Sequence, residues 1–136
     1  MPAAQWPLHA DRPMIQVVLS IVSGGQDLVC RIIADTGAGN RQSIFQLMLP
    51  ENDCRRCGGI LMGQVQLAGA YAGSFPLYLV AVRIPQLNFD EPVPVIGVSA
   101  LPQGFDGIAG FRFLSRFHYG NFGDPDGFGL EMLPGQ

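Results

Sequence analysis

Short runs of β-branched and aromatic residues, separated by glycine and proline, constrain the fold of this chain more than any other feature. The 136 residues include 18 Gly and 11 Pro, which interrupt the apolar runs throughout the sequence. Runs bounded in this way are typical of strands that are joined by tight turns. The length is that of one ordinary domain with its own core. We therefore predict a single domain that is mostly β.

Turn-forming residues between the apolar runs predict two hairpins. The first covers residues 14–34 and turns at the Ser-Gly-Gly-Gln segment 23–26. The second covers residues 61–84 and turns within 68–73. The remaining predicted elements are a helical turn over 50–57, a strand over 93–98, a helix over 110–117 and a terminal strand over 128–133.

Three segments have weaker patterns. Residues 43–49 fit either a strand or a helix, and residues 85–92 predict a loop. We expect residues 1–13 to form a flexible N-terminal arm and residues 14–136 to form the folded domain.

The chain is apolar and carries little charge. Hydrophobic residues make up 48% of it and charged residues 14%, whereas about a quarter of an average domain is charged. So few charges leave a surface that is hard to cover with polar groups, which favours a permanent protein partner. The net charge of −3 and the lack of a basic stripe argue against a nucleic-acid partner.

Nothing in the sequence predicts a leader peptide or a membrane anchor. Residues 1–13 lack the apolar segment of a signal peptide, and apolar stretches such as 77–82 are too short to span a bilayer. The three cysteines are an odd number and do not make a disulfide framework. We expect a cytoplasmic protein without a membrane partner.

The motif Asp35-Thr36-Gly37-Ala38 follows directly on the apolar run 28–34. A strand that ends in Asp-Thr-Gly can present a carboxylate for peptide hydrolysis, in which one carboxylate activates water and a protonated one polarises the carbonyl. Two carboxyls about 3 Å apart cannot both ionise and therefore share a proton. Because the motif occurs once, such a site needs two copies of the chain. An ordinary Asp-Gly turn after a strand is the simpler alternative.

A second segment, Ile108-Ala109-Gly110, leads into the predicted helix. Together with the Asp-Thr-Gly motif, it makes the chain resemble the retropepsin-like aspartic peptidases and, more distantly, the pepsin family. The resemblance covers roughly residues 14–133. It implies the acid-protease fold, a closed β-barrel-like half-lobe with one short C-terminal helix. It also implies an aspartic endopeptidase that hydrolyses peptide bonds as a homodimer.

The resemblance also assigns roles to residues of this sequence. It implies a catalytic role for Asp35, Thr36 and Gly37, substrate contacts from Ala38, Gly39, Tyr71 and Gly73, and structural support from Ile108, Ala109 and Gly110. No metal or organic cofactor is implied, because water is the nucleophile and a peptide or protein is the substrate. The flap, a hairpin that closes over the substrate, is placed at residues 70–74, with Gly58-Gly59 as the alternative tip.

The chain departs from the viral members of this family at two positions. Gly39 stands where an Asp usually follows the motif, and Phe111 stands where an Arg usually follows the apolar-apolar-Gly segment. In viral enzymes these two side chains pair and brace the dimer, whereas Arg112 here comes one position late. The departures keep open an alternative function, that of a catalytically silent dimerisation or peptide-binding module.

Two further features have weaker functional interpretations. Cys54 and Cys57 form a Cys-x-x-Cys, but zinc needs about four ligands, and only Cys30 and two histidines remain. Zinc could therefore bind only across a dimer, and we expect free thiols instead. Asp106 is the one other carboxylate within a motif, and as an Asp before Gly it fits a turn better than an intramolecular partner for Asp35.

Overall fold

The structure, a computed structural model, describes residues 2–69 and 72–134. Strands account for 53% of it and helices for 11%, which confirms the prediction of a mostly β chain. In chain order the strands are β1 (Ala3–Pro7), β2 (Met14–Ser20), β3 (Asp27–Ala34), β4 (Leu47–Pro50), β5 (Ile60–Leu67), β6 (Gly73–Ile84), β7 (Phe89–Val98), β8 (Gly107–Ala109), β9 (Phe117–Gly120) and β10 (Gly127–Met132). The helices are α1 (Glu51–Arg56) and α2 (Phe111–Leu114), with a 3-10 turn at Pro85–Leu87.

Six of these strands close into a barrel. The larger sheet has the order β2-β3-β8-β4-β7-β6-β5, and a pairing of β2 with β6 at Val18 and Arg83 closes its first six strands into a ring. The β3–β8 and β4–β7 pairs are parallel, whereas β4 and β8 are antiparallel. β5 lies outside the closed ring as the last strand of the sheet, next to β6. The barrel-like architecture expected from the resemblance is therefore present.

The structure has two short helices, whereas the resemblance implied a single C-terminal helix. The helical turn predicted at 50–57 is α1, with Pro50 before its first turn, acidic residues in that turn and arginines in the last turn. The helix predicted over 110–117 is the single turn α2, and it ends early because Phe117 begins β9.

Both predicted hairpins are present. The β2–β3 turn is closed by the Ile21 N–H, which donates to the Gln26 carbonyl over 2.7 Å. Gly24 and Gly25 have φ values of +95° and +66°, a conformation that glycine adopts without steric cost. The second hairpin pairs β5 with β6 from Ile60 opposite Leu79 to Leu67 opposite Gly73.

The expectation of a flexible arm over residues 1–13 was wrong for its first half. Ala3–Pro7 forms β1, which pairs antiparallel with β10, and β9 completes this smaller sheet. Ala4 and Trp6 are buried and alternate with exposed neighbours. A short strand paired with the other end of the chain is fixed by that partner rather than by its own pattern.

Two ambiguous segments are also strands. Residues 43–49 become strand at Leu47, and the loop predicted over 85–92 ends at Phe89, where β7 begins. Pro92 and Pro94 lie within β7. The Pro94 carbonyl accepts the Gln46 N–H over 2.8 Å and so faces away from β6. The nitrogens of both prolines face the β4 side of the strand, and the pairing with β4 begins only at Val95. No ladder hydrogen bond therefore needs an N–H at either proline.

The barrel wall separates two apolar clusters. The larger cluster fills the barrel and includes Ile15, Leu47, Val80 and Phe113. The smaller cluster covers the outer face of the same wall, and its core residues are Ala38, Phe45, Met48, Leu77, Ile96 and Ile108. Successive side chains of a strand point to opposite faces, so β4 contributes Leu47 to one cluster and Met48 to the other.

Candidate active site

Asp35 lies immediately after β3, where the parallel pairing with β8 ends. Ala34 is opposite Ala109 in that pairing, and the Asp35 N–H donates to the Ala109 carbonyl over 2.9 Å. The backbone of Asp35 is therefore fixed by the sheet although the residue belongs to a loop. The apolar run before it forms the strand that the sequence predicted.

The Asp35 side chain also organises its own loop. Its Oδ1 accepts the Gly37 N–H over 2.9 Å, and its carbonyl accepts the Ala38 N–H over 3.1 Å. This is an Asx-type turn, in which a short carboxylate bonds to backbone two residues on. Thr36 and Gly37 are exposed, whereas Ala38 is buried in the outer cluster. One end of the loop is thus anchored, and its middle faces solvent beside a partly exposed carboxylate.

The structure brings Ile108, Ala109 and Gly110 beside the Asp35 loop. The Phe111 N–H donates to the Ala38 carbonyl, and the Gly110 N–H donates to the Gln46 carbonyl, each over 2.9 Å. A Cβ at Gly110 would lie 2.7 Å from the Ala38 carbonyl oxygen, a distance that real Cβ atoms essentially never show. Glycine at this position therefore lets the two segments touch.

Gly39 begins a tight turn on the far side of the loop. Its φ is +81°, and a Cβ there would lie 2.6 Å from Ser43 Oγ. Ser43 Oγ in turn accepts the Asn40 N–H over 2.8 Å. An Asp at position 39, as in the viral pattern, would be strained in this backbone and would collide with Ser43.

Arg112 supplies a contact that the sequence did not predict. Its guanidinium donates to the Ser43 carbonyl, which ties α2 to the turn that follows the Asp35 loop. The only signal in the sequence was an arginine one position later than the family pattern. Successive residues of a helix point in different directions. In α2, Phe113 and Leu114 therefore face the core, whereas Arg112 is exposed and reaches the turn after the Asp35 loop.

The two candidate flap tips lie in different places. Tyr71 lies outside the described residues. Gly73 is exposed, has φ of +144° and starts β6 at the tip of the second hairpin. Gly58 and Gly59 instead follow α1, where the Gly59 N–H donates to the Cys54 carbonyl over 2.8 Å. The alternative flap tip at Gly58-Gly59 was therefore wrong, because these residues connect α1 to β5 and are not the turn of a hairpin.

A cavity that the sequence did not predict lies between the second hairpin and the segment 98–102. Its volume is about 350 Å³. Met48 and Ile108 line one side, Ala72 and Phe75 from the hairpin line another, and Leu101 lines a third. Met48 and Ile108 also belong to the outer apolar cluster that contains Ala38, so this mostly apolar cavity and the Asp35 loop pack against the same cluster.

Asp106 has a structural position that does not pair it with Asp35. Its Oδ2 accepts the Arg31 N–H over 2.9 Å, and its own N–H donates to the Arg31 carbonyl over 2.8 Å. It thus lies alongside the middle of β3 and extends the pairing there. A second carboxylate for Asp35 must come from elsewhere if a dyad forms.

The cysteines are free thiols in a largely apolar setting. Cys30 and Cys54 are buried in the barrel core, and burial raises the pKa of each thiol to about 12. Cys57 is half-buried, and burial raises its pKa as well. Protonated thiols are poor nucleophiles and poor metal ligands. Among residues 2–69 and 72–134, no group of three or more His, Cys, Asp or Glu side chains could hold a metal ion.

Comparison with known proteins adds no family assignment. No protein-family model matches the chain, and no curated protein matches it at a significant level.

In the part of the chain that the structure describes, no helix has both the length and the apolar character needed to cross a membrane.

Proposed function

We propose that this chain is a retropepsin-like aspartic endopeptidase that acts as a homodimer, with Asp35 of each copy forming the catalytic dyad. The observation that carries the proposal is the support of the Asp35 loop from two directions. Ala109 holds the Asp35 backbone, and Phe111 holds the Ala38 carbonyl on the other side of the motif. A loop fixed in this way can present a carboxylate with the precision that catalysis needs.

The proposed reaction uses one ionised and one protonated carboxyl. The ionised Asp35 takes a proton from water as the oxygen attacks the peptide carbonyl, while the protonated Asp35 of the partner donates to the developing oxyanion. The tetrahedral intermediate collapses when its C–N bond breaks and the amine nitrogen receives a proton from the dyad. Water is consumed, and one carboxyl and one amine terminus are formed, so no cofactor is required.

The surrounding residues have roles consistent with this chemistry. Thr36 is exposed and can bond to the partner's loop across a two-fold axis, where it would hold the two carboxylates together. Gly37 and Gly39 carry no Cβ, so an extended substrate can approach the loop backbone from the solvent side. Residues 73–76 of β6 extend beyond the pairing with β7, and this part of the hairpin supplies a second backbone edge for such a peptide.

The absent Asp and Arg of the viral pattern are replaced by a contact within one chain. Arg112 bonds the Ser43 carbonyl and so stiffens the loop without help from the partner. In this proposal the two copies associate through contacts other than that ion pair. The free thiols fit a reducing compartment, which is the basis for proposing a cytoplasmic enzyme.

The decisive experiment compares wild type with Asp35→Asn and with Asp11→Asn as a matched control. Asp11 is exposed and has φ of +60°, which Asn tolerates equally well. Each protein is incubated with a diverse peptide pool from about pH 3.5 to about pH 7.5, and new termini are identified by mass spectrometry. Cleavage by wild type and Asp11→Asn but not by Asp35→Asn supports the proposal.

Two other outcomes argue against it. Cleavage that persists in Asp35→Asn would remove Asp35 from the mechanism. No cleavage by any of the three folded proteins would favour the alternative function, a silent dimerisation or peptide-binding module. The order of reaction adds a separate check, because a dimeric site loses specific activity on dilution below its dissociation constant.

A further inference from the structure

The exposed edge of β5 carries the largest group of solvent-facing apolar side chains on one strand. Ile60, Leu61 and Met62 are 62%, 59% and 60% exposed, and they are consecutive in the chain. β5 is the last strand of the sheet and pairs with β6 alone among the described strands. Its other side therefore presents backbone donors and acceptors together with an apolar surface.

The features that usually protect an edge strand are largely missing here. Natural edges carry lysine, proline or inward-pointing charges that prevent pairing with another chain. No charged residue occurs between Arg56 and Arg83, a segment that includes both strands of the hairpin. A protective feature among the described residues is a bulge at Met62, which has no partner on β6 between Leu61 and Gly63; only Ile60 and Leu61 are in regular pairing before it.

We propose that this edge pairs with β5 of a second copy, antiparallel about a two-fold axis at Leu61. In that register Leu61 lies opposite Leu61 of the second copy, and Ile60 lies opposite the bulge residue Met62, so apolar residues face apolar residues along the contact. Like-charge repulsion does not oppose the pairing, because the strand is uncharged. A two-fold contact of this kind needs one surface that is complementary to itself.

The available area supports a second copy as the occupant. Val22 is 71% exposed and lies beside Gly58, close to the start of β5. With the three strand residues it makes an apolar patch of roughly 500 Å², at the upper end of what monomers expose. Complete cover of these four side chains in both copies would bury roughly 1,000 Å², about the minimum for a specific interface. The contact lies on β5 and does not rest on the proposed role of Asp35.

The first test measures mass in solution for wild type, Leu61→Lys and the control Val29→Lys. Val29 is 54% exposed on β3 of the barrel and is not part of the patch. We expect Leu61→Lys to halve the mass and to raise the dissociation constant by at least about tenfold. Val29→Lys should leave both unchanged. Halving is expected whether or not the copies also associate at Asp35, so the test is independent of peptidase activity.

The second test traps the register with a disulfide. Residues directly opposite in an antiparallel pair have Cα atoms roughly 4.5–5.5 Å apart, which a disulfide can span. Under mild oxidation Leu61→Cys should form a covalent dimer much faster than Val29→Cys, while far-ultraviolet circular dichroism confirms that both variants are folded.

Several results would overturn the proposal. The first is an unchanged mass for Leu61→Lys, and the second is equal cross-linking rates for the two cysteine variants. The third is a wild-type protein that does not self-associate, with β5 amides that an added apolar peptide protects from hydrogen exchange. The last result would assign the edge to a foreign strand instead.

Discussion

Gly110→Ala tests whether the Asp35 loop depends on close contact with the segment behind it. The added Cβ would lie 2.7 Å from the Ala38 carbonyl oxygen and 3.4 Å from the Gln46 carbonyl oxygen. Both neighbours are backbone atoms, so neither can rotate away. The φ of Gly110 is −83°, which alanine adopts freely, and the cost therefore comes from the contact rather than from backbone strain.

The expected cost follows from what must move. Relieving the overlap requires a shift of the loop or of α2, which weakens the Phe111–Ala38 and Gly110–Gln46 hydrogen bonds. Overpacking typically costs about 1–3 kcal/mol, and each weakened bond costs up to about 1 kcal/mol. We expect the free energy of unfolding to fall by about 2–4 kcal/mol, which lowers the Tm by roughly 6–15 °C for a chain of this size.

The assay is urea unfolding combined with peptide cleavage, with Gly24→Ala as the control. Gly24 has φ of +95° and nothing within 4 Å of an added Cβ, so its substitution costs only the backbone strain of about 1–2 kcal/mol. Gly110→Ala should also lose cleavage activity while still folded. A destabilisation by Gly110→Ala of less than about 0.5 kcal/mol would refute the view that the two segments are rigidly packed.

Three further predictions concern other parts of the molecule. Arg112→Ala removes the hydrogen bond to the Ser43 carbonyl and should lower the free energy of unfolding in urea by about 0.5–1.5 kcal/mol. It should also lower kcat by a larger factor than it raises KM, and equal, small effects on kcat and KM would contradict a positioning role for Arg112. Trp6→Ala should lower the free energy of unfolding in urea by about 3–5 kcal/mol. Trp6→Phe should leave it nearly unchanged, because the buried Trp6 Nε1 has no hydrogen-bond partner among the described residues. Equal destabilisation by the two variants would contradict this expectation. Burial raises the pKa of the Cys30 and Cys54 thiols from the ordinary 9.0 to about 12. The two thiols should therefore leave the free energy of unfolding unchanged below pH 9.0 and lower it as the pH rises toward about 12, because the unfolded chain loses these protons first. Denaturant midpoints that stay constant in that window would contradict this expectation.

Local patterns predicted the elements whose stability is mostly local. The β2–β3 hairpin depends on glycines at its turn, and α1 depends on Pro50 and on charges placed at the matching helix ends. The second hairpin likewise follows from two apolar runs around a glycine-rich turn. In each case the residues that form the element are neighbours in the chain, so their pattern is visible without the rest of the fold.

Elements that depend on distant partners were predicted less well. β1 was expected to be an arm because its partner β10 lies at the other end of the chain. β7 was expected to begin later because of its prolines, whose tolerance depends on where the pairing with β4 starts. The end of α2 depends on β9, which pairs with β10. Strand formation is set by cross-strand contacts more than by intrinsic preference.

At the candidate site, residue types and spacing were enough to predict which groups are available: one Asp-Thr-Gly loop at the end of an apolar strand, and an apolar-apolar-Gly segment suited to lie against it. The fold was needed to see that Ala109 and Phe111 hydrogen-bond to that loop, that Asp106 bonds to the Arg31 backbone and that Arg112 bonds to the Ser43 carbonyl. The fold also made β5 the last strand of its sheet, with β6 as its partner among the described strands. The physical reason is that residue types and spacing fix which groups exist and how a strand ends, whereas backbone hydrogen bonds between distant segments decide which of those groups meet.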